Sequence, residues 1–310
     1  MKYCVILELD GVLGRIEHDK GFIQNPPKDC VQPSGRDAAS YSPQARTIFQ
    51  DYVLSCRPGV REFLKFVTSV CHVTVWTRLP KSVTAEMVRF LFLELPQPRE
   101  ILSVEDCMVV TESWPQSERP CPVEECHLLD HPCPGHPVTP RPNLTAERTF
   151  VRRADHPAGK LRLKVLHKTV WGQSRFSNPY ITLNASNTVL VDSSPESAIL
   201  NPRYSAIFPF VYNGKHTDNV LLLSVARFIR NIVMRNPSFP QYLRDNGFAG
   251  QRLDRSPRAI GFETRVKLCA RYMDPSLLLP DPFYVPSQHY QTGDDYFTRR
   301  RVPNKLMPSV

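Results

Sequence analysis

No stretch of this 310-residue chain approaches the ~20 consecutive apolar residues of a membrane helix, so no membrane span is expected. A leader is also missing from the expectation. The first apolar run begins at Tyr3, which leaves no room for a signal peptide or presequence, and the Asn-x-Ser/Thr triplets at Asn143 and Asn184 carry little weight without one. No interleaved aromatic and basic motif of the RNA-binding kind occurs. A net charge of +9 permits acidic or phosphorylated partners but is moderate for this length, and nucleic acid is not predicted. An ordered disulfide framework is absent too: the cysteines number nine, an odd count, and are scattered, which fits a reducing compartment, nuclear or cytoplasmic.

What the chain does have is a real core, with 41% apolar and 22% charged residues, and an excess of proline, 30 in all, which predicts long irregular stretches. The run from Tyr3 to Leu7 reads as a buried strand, followed by Glu8, Leu9, Asp10 and Gly11. In a parallel sheet, ligands bind at the carboxyl ends of strands. Residues two apart on extended chain share a face, and two acids sharing one face call for a positive partner, typically a metal.

Gly14 to Tyr41 reads as a long polar loop. Pro58 then suits the first turn of a helix whose Val60, Phe63, Leu64 and Val67 fall at i, i+3, i+4 and i+7. Val73 to Thr77 is a β-branched strand ending in a hydroxyl beside Arg78. A second helix is expected from about Ser82, as cap, to Leu95, and a third strand over Asp106 to Val110. This alternation predicts an α/β fold: a Rossmann-like parallel sheet with helices on both faces. An irregular Cys/His/Pro-rich insertion occupies about 111–159. Its Cys121, Cys126, His127, His131, Cys133 and His136 match no strong zinc spacing, so surface thiols are the simpler reading. Leu161 to Trp171 reads as a helix in the segment bearing Lys160, Lys164 and Lys168. Asn187 to Val191 is a strand ending in Asp192, Ser193, Ser194 and Pro195. Ser205 to Phe210 reads as a strand and Val220 to Met234 as an amphipathic helix. The domain is expected to span 1–250. Beyond it, 251–310 is basic, Pro-containing and expected to be disordered. It carries Arg299, Arg300 and Arg301, too few for a firm nuclear or polyanion signal.

Acids at two strand ends, a hydroxyl at a third and a lysine between them form a phosphoryl-transfer kit. At this point the sequence resembles the haloacid-dehalogenase-type phosphatases. More narrowly, it is similar to the branch acting on the RNA polymerase II carboxy-terminal domain, the NLI-interacting-factor-like phosphatases. The residues that carry the resemblance are Glu8-Leu9-Asp10-Gly11-Val12, Arg57-Pro58-Gly59 with Phe63-Leu64, Trp76-Thr77, Lys164 with Trp171, Asp192-Ser193-Ser194-Pro195, Asn201-Pro202 and Phe208-Pro209, and it covers roughly residues 2–250. It implies Glu8 at the nucleophile position, Asp10 as general acid and base, Thr77 and Lys164 holding phosphoryl oxygens, and Mg²⁺ at Glu8, Asp10, Asp192 and Ser193. The implied substrate or partner is a phosphoserine or phosphothreonine protein, or another protein.

Three departures qualify that implication. Glu8 stands where the family has aspartate, and one extra C–C bond moves the attacking oxygen by about 1.5 Å. A misplacement of ~1 Å costs up to ~10²-fold in rate. Ser193 is a weaker, neutral Mg²⁺ ligand than a carboxylate. Val165 replaces the acid that usually follows the lysine. The favoured expectation is therefore a catalytically impaired, partner-binding protein of phosphatase fold. An active Mg²⁺-dependent serine/threonine phosphatase is the alternative, and a mitochondrial import receptor-like protein ranks last.

Overall fold

Strand β1 (Cys4–Leu7) is fully buried, and its side chains divide between two cores: Tyr3, Val5 and Leu7 on one side of the sheet, Cys4 and Ile6 on the other. The structure is a computed structural model and describes residues 2–18, 30–31, 46–111, 160–171, 182–214, 220–248 and 266–267. β1 pairs in parallel with β6 (His72–Trp76) and β10 (Thr188–Val191). β7 (Glu100–Leu102) and β11 (Ala206–Ile207) complete a five-stranded parallel sheet in the order β11-β10-β1-β6-β7. The expected parallel α/β fold is what forms.

Four helices cover the face bearing Val5 and Leu7. They are α1 (Val60–Val70), α2 (Lys81–Leu91), α4 (Val220–Arg235) and α5 (Phe239–Asn246). α1 buries Val60, Phe63, Leu64 and Val67, the stripe its spacing predicts. Gly59 precedes it at φ +77°, a left-handed conformation that glycine adopts without strain. Among the described residues, the opposite face holds one short α-helix, α3 (Leu166–Thr169), with Leu166 and Val170 packed on Cys4, Ile6, Trp76 and Leu190. Helices thus lie on both faces, unequally.

Several local expectations are corrected. Gly14 does not open a loop: β2 (Gly14–His18) joins β5 (Tyr52–Cys56), β4 (Arg46–Phe49) and β3 (Cys30–Val31) in a second sheet, where Glu17 bridges Arg15 and Arg46 on its polar side. The expected third strand exists as β8 (Met108–Thr111), but it pairs antiparallel with β9 (Lys160–Leu163), and β7 takes the sheet position instead. The helix read from Leu161 is mostly strand. Leu161 and Leu163 are buried around an exposed Arg162, a period-two pattern that only gives way to helix at Leu166. Pro80, not Ser82, precedes α2, and the Lys81 amide at its start donates to the Glu105 carboxylate (3.4 Å).

Contacts divide the chain into the units Met1–Leu279 and Pro280–Val310, and every described residue belongs to the first. Val266 is buried with Val110, Leu161, Leu163, Val165 and Leu200, so packing reaches past the boundary expected at residue 250. Among the described residues no helix is long and apolar enough to cross a membrane. The Cys/His-rich segment and the arginine triplet lie outside the described residues.

Candidate functional site

Strand register assembles the site. Leu7 of β1 lies opposite Val75 of β6 and Val191 of β10, so the next residue on each strand, Glu8, Trp76 and Asp192, stands at the same level. Lys164 reaches this level from the turn between β9 and α3. Its backbone is pinned there: its amide donates to Ser197 O (2.7 Å), and its carbonyl accepts from Asn201 Nδ2 (2.7 Å). Its ammonium donates to the Glu8 carboxylate, to Asp192 Oδ2 (2.7 Å) and to Trp76 O (2.8 Å). One cation thereby ties the carboxyl ends of three adjacent strands together.

Both acids are well supplied with donors. Glu8 Oε1 accepts the amides of Leu9 (2.9 Å) and Asp10 (3.3 Å), while Oε2 takes Lys164. Asp192 Oδ1 accepts the Ser194 amide (2.7 Å), and Oδ2 also accepts the Ser197 hydroxyl (2.8 Å). Their acidities diverge. Burial pushes the Glu8 carboxyl up against the pull of Lys164, which only partly offsets it. Burial acts on Asp192 in the same sense, but Lys164, the Ser194 amide and the Ser197 hydroxyl outweigh it and hold Asp192 below the ordinary range. Burial also works against the Lys164 ammonium, yet Asp192 and Glu8 together raise it. Lys164 thus acts as the fixed counter-ion of Asp192, and Glu8 is the carboxylate more ready to take a proton.

Asp10 and Ser193 stand in front of this buried layer. Asp10 is exposed, and its Oδ1 accepts the Ile16 amide (2.9 Å). Ser193 Oγ donates to the Asp10 carbonyl (3.1 Å) and packs onto Gly11, where a Cβ would fall 2.5 Å from that hydroxyl. Gly11 also has φ +76°, so the close approach and the backbone both require glycine. Thr77 directly follows β6 at 1% exposure, and its hydroxyl has no hydrogen-bond partner among the described residues. An orphaned buried hydroxyl is costly, which points to an oxygen acceptor that it is built to meet. Arg78, beside it, is half-buried and held charged by Glu8, Asp192 and Asp10, which overcome the effect of burial.

The structure brings together all six residues expected at the site: Glu8, Asp10, Thr77, Lys164, Asp192 and Ser193. Reading the sequence for functional residues missed two contributors. Ser197 gave no signal apart from the short Ser194–Ser197 turn. Arg57 is fully buried, donates through Nη2 to Gly11 O (3.1 Å) and Phe210 O (2.9 Å), and lies over the Tyr212 ring, so it braces the loop after β1 against the segment after β11. Its signal is the Arg57-Pro58-Gly59 motif, which counts toward the resemblance and toward a helix start but assigns Arg57 no role at the site.

The resemblance seen in the sequence implies Mg²⁺, and the residues present do not fit it. Five of the six carboxylate oxygens of Glu8, Asp10 and Asp192 already hold protein donors. Ser193 brings no charge, and its proton is committed to Asp10 O. Among the described residues, no three His, Cys, Asp or Glu side chains are grouped so as to hold a metal ion. Mg²⁺ demands near-octahedral oxygen donors and gives up its waters reluctantly.

The parallel sheet gathers acids, a hydroxyl and a lysine at its carboxyl edge, the groups of the phosphoryl-transfer kit expected from the sequence. Consistent with that, the family model for NLI interacting factor-like phosphatases matches residues 3–116, which include Glu8, Asp10, Arg57 and Thr77 but not Lys164 or Asp192. A search of curated proteins found no match. Among solved structures, one similar chain is a variant of the fission yeast RNA polymerase II CTD phosphatase Fcp1 bound to beryllium fluoride. It is 13% identical, with TM-score 0.35, over 89% of this chain and 65% of that one. Another is a structure of Fcp1 described as an essential RNA polymerase II CTD phosphatase, 13% identical, with TM-score 0.34, over 83% and 56%. The chain thus spans less than two thirds of the length of either.

Proposed function

We propose that this protein is a phosphatase-fold binding protein, impaired in catalysis, that holds a phosphorylated protein segment at the rim of the old cleft. The observation that carries this is the state of Glu8. It is 2% exposed, both of its oxygens are engaged, and burial holds its acidity low, so it is poorly placed and poorly charged to attack phosphorus. The rim is the part a partner reaches. Arg78 offers a cation, and Phe210 and Val211, 51% and 62% exposed, offer an apolar step beside Gly11. A phosphoserine or phosphothreonine residue on Arg78 with an apolar flank on Phe210 and Val211 suits that chemistry.

Purified protein given phosphoserine peptides and Mg²⁺ should release no phosphate above background. In a binding titration Arg78→Ala should weaken peptide affinity by about tenfold or more, the cost of one charge-assisted contact. Robust turnover that disappears in Asp10→Asn would overturn the reading. A second reading, a slow phosphatase, draws on Thr77: its unpartnered hydroxyl and the Lys164 ammonium are the groups that would hold a phosphoryl oxygen at Glu8. Beryllium fluoride trapped on Glu8 would favour it.

A further inference from the structure

We infer that the acid cluster at the head of the central sheet is closed to divalent cations by its own lysine and by Ser193, so that the rim in front of it takes its anionic ligand without a metal. The cations a metal would supply are already built in. The Lys164 ammonium sits between Glu8 and Asp192, and the half-buried Arg78, next to Thr77, is held charged by the same acids and by Asp10. Three carboxylates against two fixed cations leave a single formal negative charge, too little to draw a divalent ion out of water. Geometry adds to this. The Asp10 carbonyl, the polar atom facing Ser193, is taken by the Ser193 hydroxyl, and that side chain lies against Gly11 closely enough that not even a methyl group fits between them. Glu8 Oε1 is turned back onto the Leu9 and Asp10 amides. Asp10 Oδ2 is the one carboxylate oxygen left over, and one such ligand does not make a site for Mg²⁺.

The inference about the ion stands on these contacts alone. Its extension to the ligand rests on the binding reading above. The test titrates the full-length protein with Mg²⁺ alone and with Mn²⁺ alone, by calorimetry and by melting temperature. Wild type should show no saturable heat and no shift between about 10 mM Mg²⁺ and EDTA. Ser193→Asp, checked for folding by circular dichroism, should gain saturable binding and a rise of roughly 2–4 °C at tenfold saturation. Saturable binding by wild type overturns the inference, and it does so even if the variant fails to fold. A folded Ser193→Asp that binds nothing removes Ser193 from it. Phosphoserine peptide affinity should agree within about twofold in EDTA and in Mg²⁺. Binding seen only with Mg²⁺ overturns metal independence while sparing the binding reading. Binding seen in neither condition sinks the binding reading and leaves the ion titration to decide the rest.

Discussion

The buried layer of the site and its rim are made of similar residue types in opposite states. Behind, Glu8, Lys164, Asp192 and Ser197 are sealed and mutually bonded. In front, Asp10, Ser193, Arg78, Phe210 and Val211 are partly or fully open. The contrast teaches that charge at a strand end is not by itself a reactive centre. A carboxylate whose oxygens are engaged and whose lysine is shared acts as a staple between strands, and exchange with solvent or partners is left to the rim.

The largest expected effect breaks the staple. Lys164→Met removes a buried cation from between two buried acids, and breaking such a pair costs about 3–5 kcal/mol because the remaining charge is uncompensated. Urea denaturation should show that loss. A change below ~1 kcal/mol would mean that the buried layer does not hold the strands and that the contrast with the rim is false.

This staple marks where sequence reading reached and where it stopped. The parallel sheet was legible because β1, β6 and β10 are short β-branched or apolar runs, each followed by a polar strand end. The six site residues were legible because each lies in a short motif of fixed order. Lys164 was placed on a helix, since Leu161, Lys164 and Lys168 also satisfy a helical spacing. Pairing of Lys160–Leu163 with β8, from Met108 to Thr111, makes those residues a strand and leaves Lys164 in the turn after it, and a three-residue alternation is too short a local signal to show this. The second sheet was lost for a similar reason. Gly14 to His18 is polar because it is half-exposed, so it reads as loop until Tyr52 to Cys56 pairs with it. The engagement of Glu8 was invisible for a different reason. The substitution for aspartate shows in the sequence, but the return of its carboxylate onto the Leu9 and Asp10 amides is a matter of rotamer.

A medium effect sharpens the comparison within the buried layer. Glu8 titrates above its ordinary 4.5 in the folded protein, raised by burial. As pH climbs from that ordinary value through the raised one, the unfolded chain has already lost the proton, so the folded state grows less stable. Asp192 runs the other way. Its contribution is present above its ordinary 3.8 and is lost as pH falls through its lowered folded value. Glu8→Gln should therefore flatten the decline on the alkaline side and leave the acid limb in place. Denaturation midpoints across pH, wild type against variant, would show it. Parallel curves would mean that Glu8 titrates normally and is less confined than its contacts imply.

The smallest effect on stability belongs to the rim, and it is the most telling about function. Phe210 and Val211 are largely exposed, so Phe210→Ser with Val211→Ser should change stability by no more than about 0.5 kcal/mol per site. Their backbone stays braced, because Arg57 bonds the Phe210 carbonyl and the Tyr212 amide donates to Gly11 O at 2.9 Å, neither through the altered side chains. An exposed apolar pair kept on a braced segment is the kind of step that a partner covers. The double variant should then lose phosphopeptide affinity several-fold while melting within a degree or two of wild type. A loss of stability with affinity unchanged would assign Phe210 and Val211 to packing and move the partner's footprint elsewhere along the rim.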